Sequence, residues 1–247
     1  MFSQEKRCIY KRNQLGEVIC QLRFPEILTI ETSIPAEFQE AIRMIFPRYA
    51  VRKEGPVGKQ TNNYQFATQD GIWRVNLTSR FISLACSRYR CWEDFAKMLD
   101  TPLAAFIQLY KPAYFERVGL RYLNFVSRQA LDLEGTPYRE LFSPCYLGLL
   151  GEQNINEASV TRATVDAELT IRGGCRVKIH AGPGKLSRNG QEDPEVKFIF
   201  DQDLYMPGNV PVNISAGALE TLHSQAYGIF RYAITDILHD AMIPGEI

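Results

Sequence analysis

The sequence predicts an α+β fold in which a β-α-β(3-4)-α unit occurs twice and forms an antiparallel sheet with helices on one face. Three observations predict it. An alternating apolar segment at 15–24 recurs at 118–127, TQDGIWRVNL at 68–77 resembles TIRGGCRVKI at 170–179, and a long helical pattern closes each half. Within the first match Leu22 and Phe24 align with Leu123 and Phe125 at an offset of 101 residues, and the second match has an offset of 102, in the same order. We therefore expect repeats at residues 1–116 and 117–247 within one continuous domain.

In the first half, alternation of apolar and polar residues predicts strands, and apolar spacing of three and four predicts helices. Asp70-Gly71 between two alternating runs indicates a tight hairpin. Pro102 inside the long helix predicts a kink or a restart at Thr101. The elements expected in order are a strand at 15–24, a helix from Pro35 to Pro47, strands at 49–53, 64–68, 72–78 and 81–87, and a helix at 92–110.

The second half follows the same order. We expect a strand at 118–127, a weak helical stretch at 137–150, strands at 176–180 and 196–200, and a helix capped by Ser215 that extends to Ile237. Between the last two strands, Ala181-Gly182-Pro183-Gly184-Lys185 superficially resembles a phosphate loop. Leu186 stands where Ser or Thr is required and no helix follows, so we interpret the segment as a long, mobile connection.

Composition limits the function classes. Hydrophobic residues make up 45% and charged residues 23% of the 247 residues, which is typical of globular proteins and argues against disorder. Twenty-eight basic residues balance 28 acidic ones, so nucleic-acid binding is disfavoured. No secretion signal or membrane-spanning stretch is recognisable, which predicts a cytoplasmic protein without membrane contact. The six scattered cysteines are expected to be reduced and mostly structural.

Two resemblances accompany these patterns. The expected arrangement of strands and helices resembles the saddle of the TATA-binding-protein class, in shape only. The segments Glu17 to Phe24, Val118 to Asn124 and Leu222 to Thr235 are similar to a sporadically distributed, uncharacterised prokaryotic family of about 250 residues. That resemblance implies no established activity, and its sporadic distribution suggests an accessory of a mobile or defence-related operon.

Six residues are candidates for binding a ligand or partner. If Val18, Cys20, Leu22 and Phe24 face the core, then Gln21, Arg23, Tyr122 and Asn124 are expected on the open face of the sheet. The 101-residue offset places Arg121 on the core face, where Cys20 stands in the first copy. There it needs a carboxylate or carbonyl partner, either as a structural ion pair or as a ligand clamp. His223 beside the last apolar stripe is a structural histidine or a general base.

Asp201 and Asp203 share one face of a strand and form either an acidic rim or part of a cation site. The sequence contains no recognisable catalytic constellation, metal-ligand spacing or cofactor motif, so we predict no catalytic residue, metal or cofactor.

The leading functional hypothesis is a non-enzymatic binding or protein-interaction module that uses the open face, with a protein partner or self-association as a homodimer. The alternative is an enzyme or small-ligand receptor in a cleft at the junction of the two halves, using Arg121, His223, Asp201 and Asp203. Small-molecule binding therefore stays open.

Overall fold

A computed structural model describes residues 6–56, 60–188 and 190–245, except the side chain of Arg188. The strands are β1 (Ile9–Tyr10), β2 (Leu15–Arg23), β3 (Arg48–Glu54), β4 (Thr61–Ala67), β5 (Trp73–Leu77), β6 (Phe81–Cys86), β7 (Phe115–Val126), β8 (Val165–Thr170), β9 (Arg176–Arg188), β10 (Gln191–Val210) and β11 (Pro244–Gly245). The α-helices are α1 (Leu28–Thr32), α2 (Ala36–Ile42), α3 (Trp92–Tyr110), α4 (Tyr138–Leu141), α5 (Ser215–Ala233) and α6 (Asp236–Ala241). The fold is therefore α+β, as predicted.

Nine strands form one antiparallel sheet in the order β3-β4-β5-β6-β2-β7-β10-β9-β8, which is not closed into a barrel. The two strands predicted to be equivalent, β2 and β7, are neighbours near its centre. The short strands β1 and β11 pair with each other separately. Within the described residues, no helix is long and apolar enough to cross a membrane.

The two long helices cover the same face of the sheet. From α3, the Phe106 ring packs 4.6 Å from that of Phe24, at the end of β2. From α5, the Phe230 ring lies 6.0 Å from that of Phe200 on β10. The α3 helix continues through the buried Pro102 without the restart expected at Thr101, because packing against the sheet compensates for the missing backbone N–H group.

The register between β2 and β7 corrects the predicted orientation of β7. Cys20 lies opposite Leu120 and Val18 lies opposite Tyr122, and residues directly opposite in an antiparallel pair point to the same face. All these pairs are fully buried or nearly so. In this register the even-numbered residues of both strands face the helices. The predicted offset of 101 is odd, so it matches residues of the helix-covered face of β2 with residues of the open face of β7.

As a result, the prediction was wrong for three candidate residues. Tyr122 and Asn124 lie under the helices, at 5% and 3% exposure, and do not belong to the open face. Arg121 is on the open face with 43% of its side chain exposed, whereas Cys20 lies on the opposite, buried face. The alternation of the strand was predicted correctly, but the inward-facing residues were placed one position too late in the sequence.

The predicted mobile connection at 181–195 is also corrected. Ala181 to Lys185 belong to β9 and pair with Phe200 to Val196 of β10. A side chain is excluded at Gly182, because a Cβ atom there would overlap the backbone carbonyl oxygen of Ala163. The glycines that suggested a loop thus allow close approach within a long hairpin. Part of the predicted connection, residue 189, lies outside the described residues.

Two smaller differences concern the last helical pattern. Ser215 is the first residue of α5, and its hydroxyl donates to the carbonyl of Val212, so it does not cap the helix through its side chain. Ile234 has an extended backbone that ends α5, and Ile237 belongs to the separate helix α6.

Candidate functional site

A cavity of about 90 Å³, partly open to the surface, lies between α5, the sheet and the segment 7–15. Most of its wall is apolar or aromatic, and a few polar side chains converge on it. Residues that line it include Arg7, Tyr10, Leu15, Tyr89, Trp92, Tyr122, Asn124, Gln202, His223, Ala226 and Phe230. We call this space the junction cavity, because β7 next to β2 forms its floor.

The sheet supplies the polar floor of the junction cavity. Tyr122 of β7 lies opposite Gln202 of β10, so both point towards the helices. Asn124 lies two residues further along β7, and its amide donates to the carbonyl of Phe200 at 3.1 Å. A row of polar side chains therefore occupies positions of the pleat that are otherwise apolar.

His223 of α5 contacts this row from the side of the sheet that the helices cover. It is 7% exposed, and its Nδ1 atom lies 2.7 Å from the hydroxyl of Tyr122. Its Nε2 atom is hydrogen-bonded to the guanidinium of Arg7, which in turn forms an ion pair with Glu93. Both ring nitrogens of His223 are therefore engaged.

Aromatic rings hold the histidine in place. The Trp92 ring stacks on the His223 ring at 4.7 Å between centroids and 9° between planes. The indole N–H of Trp92 donates to Glu220 at 2.5 Å, which fixes the orientation of that ring. Tyr89 meets Tyr122 edge to face at 5.8 Å. Because α3 and α5 contribute one ring each to the stack, the imidazole has little freedom to turn.

The side chains of His223, Tyr122 and Tyr89 are neutral at physiological pH. Burial, and then the charge of Arg7, lower the pKa of His223 from its ordinary value to about 3. Burial raises the pKa of Tyr122 well above its ordinary value, and it raises that of Tyr89 as well. A neutral imidazole has one donor and one acceptor nitrogen, which suits the two hydrogen bonds of His223.

Gln202 is the unusual member of this group. It is 2% exposed, and its Oε1 atom has no hydrogen-bond partner among the described residues. An unpaired buried acceptor costs about 1–3 kcal/mol, so such groups in folded proteins call for a partner. Gln202 lines the junction cavity, and its carbonyl oxygen is enclosed by the surrounding side chains.

The open face of the sheet carries a different set of charges. Arg117 donates to both carboxylate oxygens of Asp203, at 2.6 and 2.7 Å. Arg121 donates to Asp201 through Nε at 2.8 Å and through Nη2. Asp201 and Asp203 share one face, as predicted, and both are paired with arginines. Arg121 has the carboxylate partner that the sequence required, but at the surface.

The structure divides the six predicted site residues between two faces. Tyr122, Asn124 and His223 line the junction cavity, whereas Gln21, Arg23 and Arg121 line a second, larger cavity of about 460 Å³ on the open face. In that second cavity, Nε of the exposed Arg23 donates to Oε1 of Gln21 at 2.9 Å.

Sequence reasoning missed four residues of the cavity: Arg7, Tyr89, Trp92 and Gln202. Gln202 had a signal, because it interrupts the apolar positions of β10 between Phe200 and Leu204. Trp92 was assigned only to the apolar stripe of α3. Arg7 and Tyr89 stand outside any periodic pattern.

All six cysteines are free thiols, and only Cys145 is exposed. Across the described ranges, no group of three or more His, Cys, Asp or Glu residues could hold a metal ion. No protein-family model matches the chain, and no curated protein matches it significantly.

Proposed function

We propose that this protein is a receptor for a small ligand, which it binds in the junction cavity. The observation that carries the proposal is the aromatic-walled cavity itself, on which the polar side chains of Tyr122, Gln202 and His223 converge. A concave, mostly apolar space with a few convergent polar groups is the usual form of a small-molecule site. This proposal corresponds to the small-ligand receptor that the sequence suggested as an alternative, with its site in a cleft at the junction of the two halves.

The state of His223 favours binding over acid-base catalysis. A general base needs a free nitrogen within reach of the reacting proton and a pKa near the working pH. Both ring nitrogens of His223 are occupied, and its pKa is lowered to about 3. The histidine therefore acts as a rigid part of the cavity wall.

A fragment screen tests the proposal. Single-ring compounds are screened against the protein by ligand-observed saturation-transfer NMR, and the hits are repeated with Ala226→Leu, which places extra carbon atoms in the cavity. Ala104→Leu, at an exposed position of α3, is the matched control. We expect hits that Ala226→Leu abolishes and Ala104→Leu retains. If no compound binds, or if every hit survives in Ala226→Leu, the junction cavity is not a ligand site.

A second candidate function is a protein-interaction module that uses the open face. It is favoured by the exposed Arg23 and the half-exposed Arg121, which lie on the sheet face away from α3 and α5. The test is affinity purification from the source cell with tagged wild-type protein and with the Arg23→Glu variant. A partner retained by both would refute a role for this face. A partner that only the variant loses supports it.

Homodimer formation is a related proposal. The edge strands β3 and β8 leave one side of their backbones unpaired within the nine-stranded sheet, and all residues of β3 are exposed. Such edges can pair with a second copy. Light scattering coupled to size-exclusion chromatography would give twice the monomer mass of 28.2 kDa for a dimer.

We also retain the tandem duplication as a proposal, with repeats at 1–116 and 117–247 and a saddle-like shape. Two observations support it. The strand order runs outward from β2–β7 as β6, β5, β4 on one side and β10, β9, β8 on the other. The matched glycines Gly71 and Gly173 have φ angles of 74° and 71°, each before a strand. The extra strand β3 exists only in the first half.

Membership of the prokaryotic family, the operon context and the cytoplasmic location likewise remain proposals. Sequencing of the genes that flank this one, and fractionation of the source cells, would test them.

A further inference from the structure

The second cavity, on the sheet face away from α3 and α5, is rich in cationic side chains. Four cations and one carboxylate line it, namely Arg23, Arg117, Arg121, Lys178 and Asp203. We call this space the open-face cavity. Like charges around one space repel each other, so the arrangement needs anions to compensate it. The carboxylates of the protein compensate only part of this charge.

Neighbouring groups hold Arg117 in a fixed position within the cavity. Its Nη2 atom donates to both carboxylate oxygens of Asp203, and its guanidinium lies 4.6 Å from the centre of the Tyr205 ring. The guanidinium uses the space that a side chain at residue 119 would fill, because a Cβ atom on Gly119 would overlap Nη1. Within the described residues, Nη1 and Nε of Arg117 have no acceptor, and neither atom is enclosed by protein. Arg117 is therefore a positioned donor with unused N–H groups.

Two further cations, Arg23 and Lys178, bring charge to the same space. Arg23 lies directly opposite Arg117 in the register of β2 and β7, and like charges at such positions are unfavourable. The Nζ atom of Lys178 lies 5.9 Å from the centre of the Tyr205 ring, which Arg117 also contacts. Over the part of the chain that the structure describes, neither Arg23 nor Lys178 forms an ion pair, and Arg23 is held by the amide oxygen of Gln21.

The carboxylates around the cavity are already engaged. Asp201 and Asp203 are each paired with one arginine. Glu168 lies opposite Lys178 across β8 and β9, but it accepts a hydrogen bond from the hydroxyl of Tyr205. Two of the four cationic side chains therefore have no carboxylate partner in the described ranges. Their charge is available to an anion from outside the chain.

A phosphate monoester matches this arrangement in charge and in geometry. At pH 7 it carries a charge of about −1.5 to −2 and three strong acceptor oxygens. Guanidinium groups bind phosphate through paired N–H groups, and an ammonium group binds it as a point charge. A carboxylate has a single charge and two oxygens, so it would satisfy fewer of the converging donors.

The size of the cavity favours an organic ester over the bare ion. Its volume of about 460 Å³ lies within the roughly 300–1,000 Å³ that is usual for small-molecule sites. Inorganic phosphate would leave most of this space to water. Ile19 and Tyr205 line the same cavity and offer apolar contact to a carbon skeleton, and Gln21 offers an amide.

We propose that the open-face cavity binds a small organic phosphate ester, with the phosphoryl group among Arg23, Arg117 and Lys178. This site lies on the opposite face of the sheet from the junction cavity, so it does not depend on the receptor function proposed there. It assigns the open face to a small ligand instead of a protein partner.

Isothermal titration calorimetry with phenyl phosphate and inorganic phosphate tests the site. The titrations use roughly physiological ionic strength, at which the screening length is about 8 Å and diffuse attraction of anions is weak. We expect phenyl phosphate to bind at least roughly tenfold more tightly than inorganic phosphate, because its ring adds apolar contact. Ala226→Leu, which fills the junction cavity, should bind phenyl phosphate as the wild type does.

Single-charge variants locate the site. Arg23→Gln and Lys178→Gln change exposed residues of the cavity, and each should weaken phenyl phosphate at least roughly tenfold, as the loss of one charge-assisted hydrogen bond implies. Arg43→Gln and Lys97→Gln are matched controls, because they remove the same charge from exposed positions at the end of α2 and within α3. Both controls should bind like the wild type. Urea denaturation checks that each variant is folded.

Four results would overturn the inference. Neither anion binds, or all four charge variants weaken binding equally, as a diffuse attraction would. Phenyl phosphate binds no more tightly than inorganic phosphate, which removes the organic ester. Binding is lost in Ala226→Leu and kept in Arg23→Gln, which places the anion in the junction cavity. If neither anion binds and Arg23→Glu loses a partner in affinity purification, the open face is a protein-interaction surface.

Discussion

The hydroxyl of Tyr122 lies 2.7 Å from Nδ1 of His223, although 101 residues separate them in the chain. The contact joins the middle of the sheet to the last long helix. It is buried on both sides, so each group depends on the other for its hydrogen bond. Four predictions follow from this contact and from the charged face opposite it.

Tyr122→Phe should lower the free energy of unfolding by about 1–3 kcal/mol, because it leaves the Nδ1–H group of His223 buried without a partner. Urea denaturation measures the change. The double variant Tyr122→Phe/His223→Phe is the control, since it removes both partners and keeps rings of similar size. Its loss should be smaller than the sum of the two single losses. Simple additivity would show that the two groups are not coupled.

Stability should fall as the pH is lowered from 7 to 5. In the unfolded chain His223 has a pKa of about 6.5, whereas burial and Arg7 lower its pKa to about 3 in the folded protein. Between these values the unfolded state binds the extra proton, so acid favours unfolding.

The contribution of His223 between pH 7 and pH 5 is about 2 kcal/mol by this linkage. Urea denaturation of the wild type and of His223→Phe at both pH values isolates it, because the variant retains the nearby Arg7 and Glu93. An equal loss of stability in both proteins would contradict a buried neutral histidine.

The two arginine–aspartate pairs of the open face should differ in their effect on stability. The side chains of Arg117 and Asp203 are 17% and 28% exposed, and the Arg117 guanidinium also lies 4.6 Å above the Tyr205 ring. Arg121 is 43% exposed and more strongly screened by solvent. Arg117→Met should therefore cost about 1–3 kcal/mol and Arg121→Met less than about 1 kcal/mol. Thermal and urea unfolding measure both losses, and equal losses or an inverted order would contradict the greater contribution of the Arg117 pair.

Gly119→Ala should destabilise the protein, because its Cβ atom would lie 2.1 Å from Nη1 of Arg117. The guanidinium would have to leave Asp203, so we expect a loss of about 1–3 kcal/mol in urea unfolding. Gly217→Ala is the matched control. No atom lies within 4 Å of its added carbon, and alanine favours the helix α5, so stability should rise by up to about 1 kcal/mol. Equal effects of the two substitutions would contradict the close packing on Gly119.

Local patterns identified many elements of the sheet, although β8 was not predicted and β9 only in part. Alternation predicted β2 and β7, Asp70-Gly71 predicted the β4–β5 hairpin, and helical spacing predicted α3 to the residue. These signals depend on neighbours a few residues apart, so the sequence contains them in full. The glycines of β9 misled the same reasoning, since Gly182 permits close approach of the backbone at Ala163 rather than a turn.

The face that each β7 side chain occupies was decided by the tertiary structure. In the segment 118–127 apolar residues stand at both phases of the alternation, with Val118 and Leu120 in one and Leu123 and Phe125 in the other. Pairing with β2 selected the first phase, because it brings Leu120 opposite the buried Cys20. Tyr122 and Asn124 therefore lie under the helices and Arg121 lies at the surface, opposite to the prediction.

The sequence by itself determined the order of most strands and helices. It also supplied a polar side chain at each candidate site position. The tertiary structure decided which of those residues meet. Tyr122, Gln202 and His223 converge only when β7, β10 and α5 pack together, and Arg7 reaches them from the other end of the chain. Contacts between distant segments are set by strand register and helix packing, and these depend on the whole core rather than on local pattern.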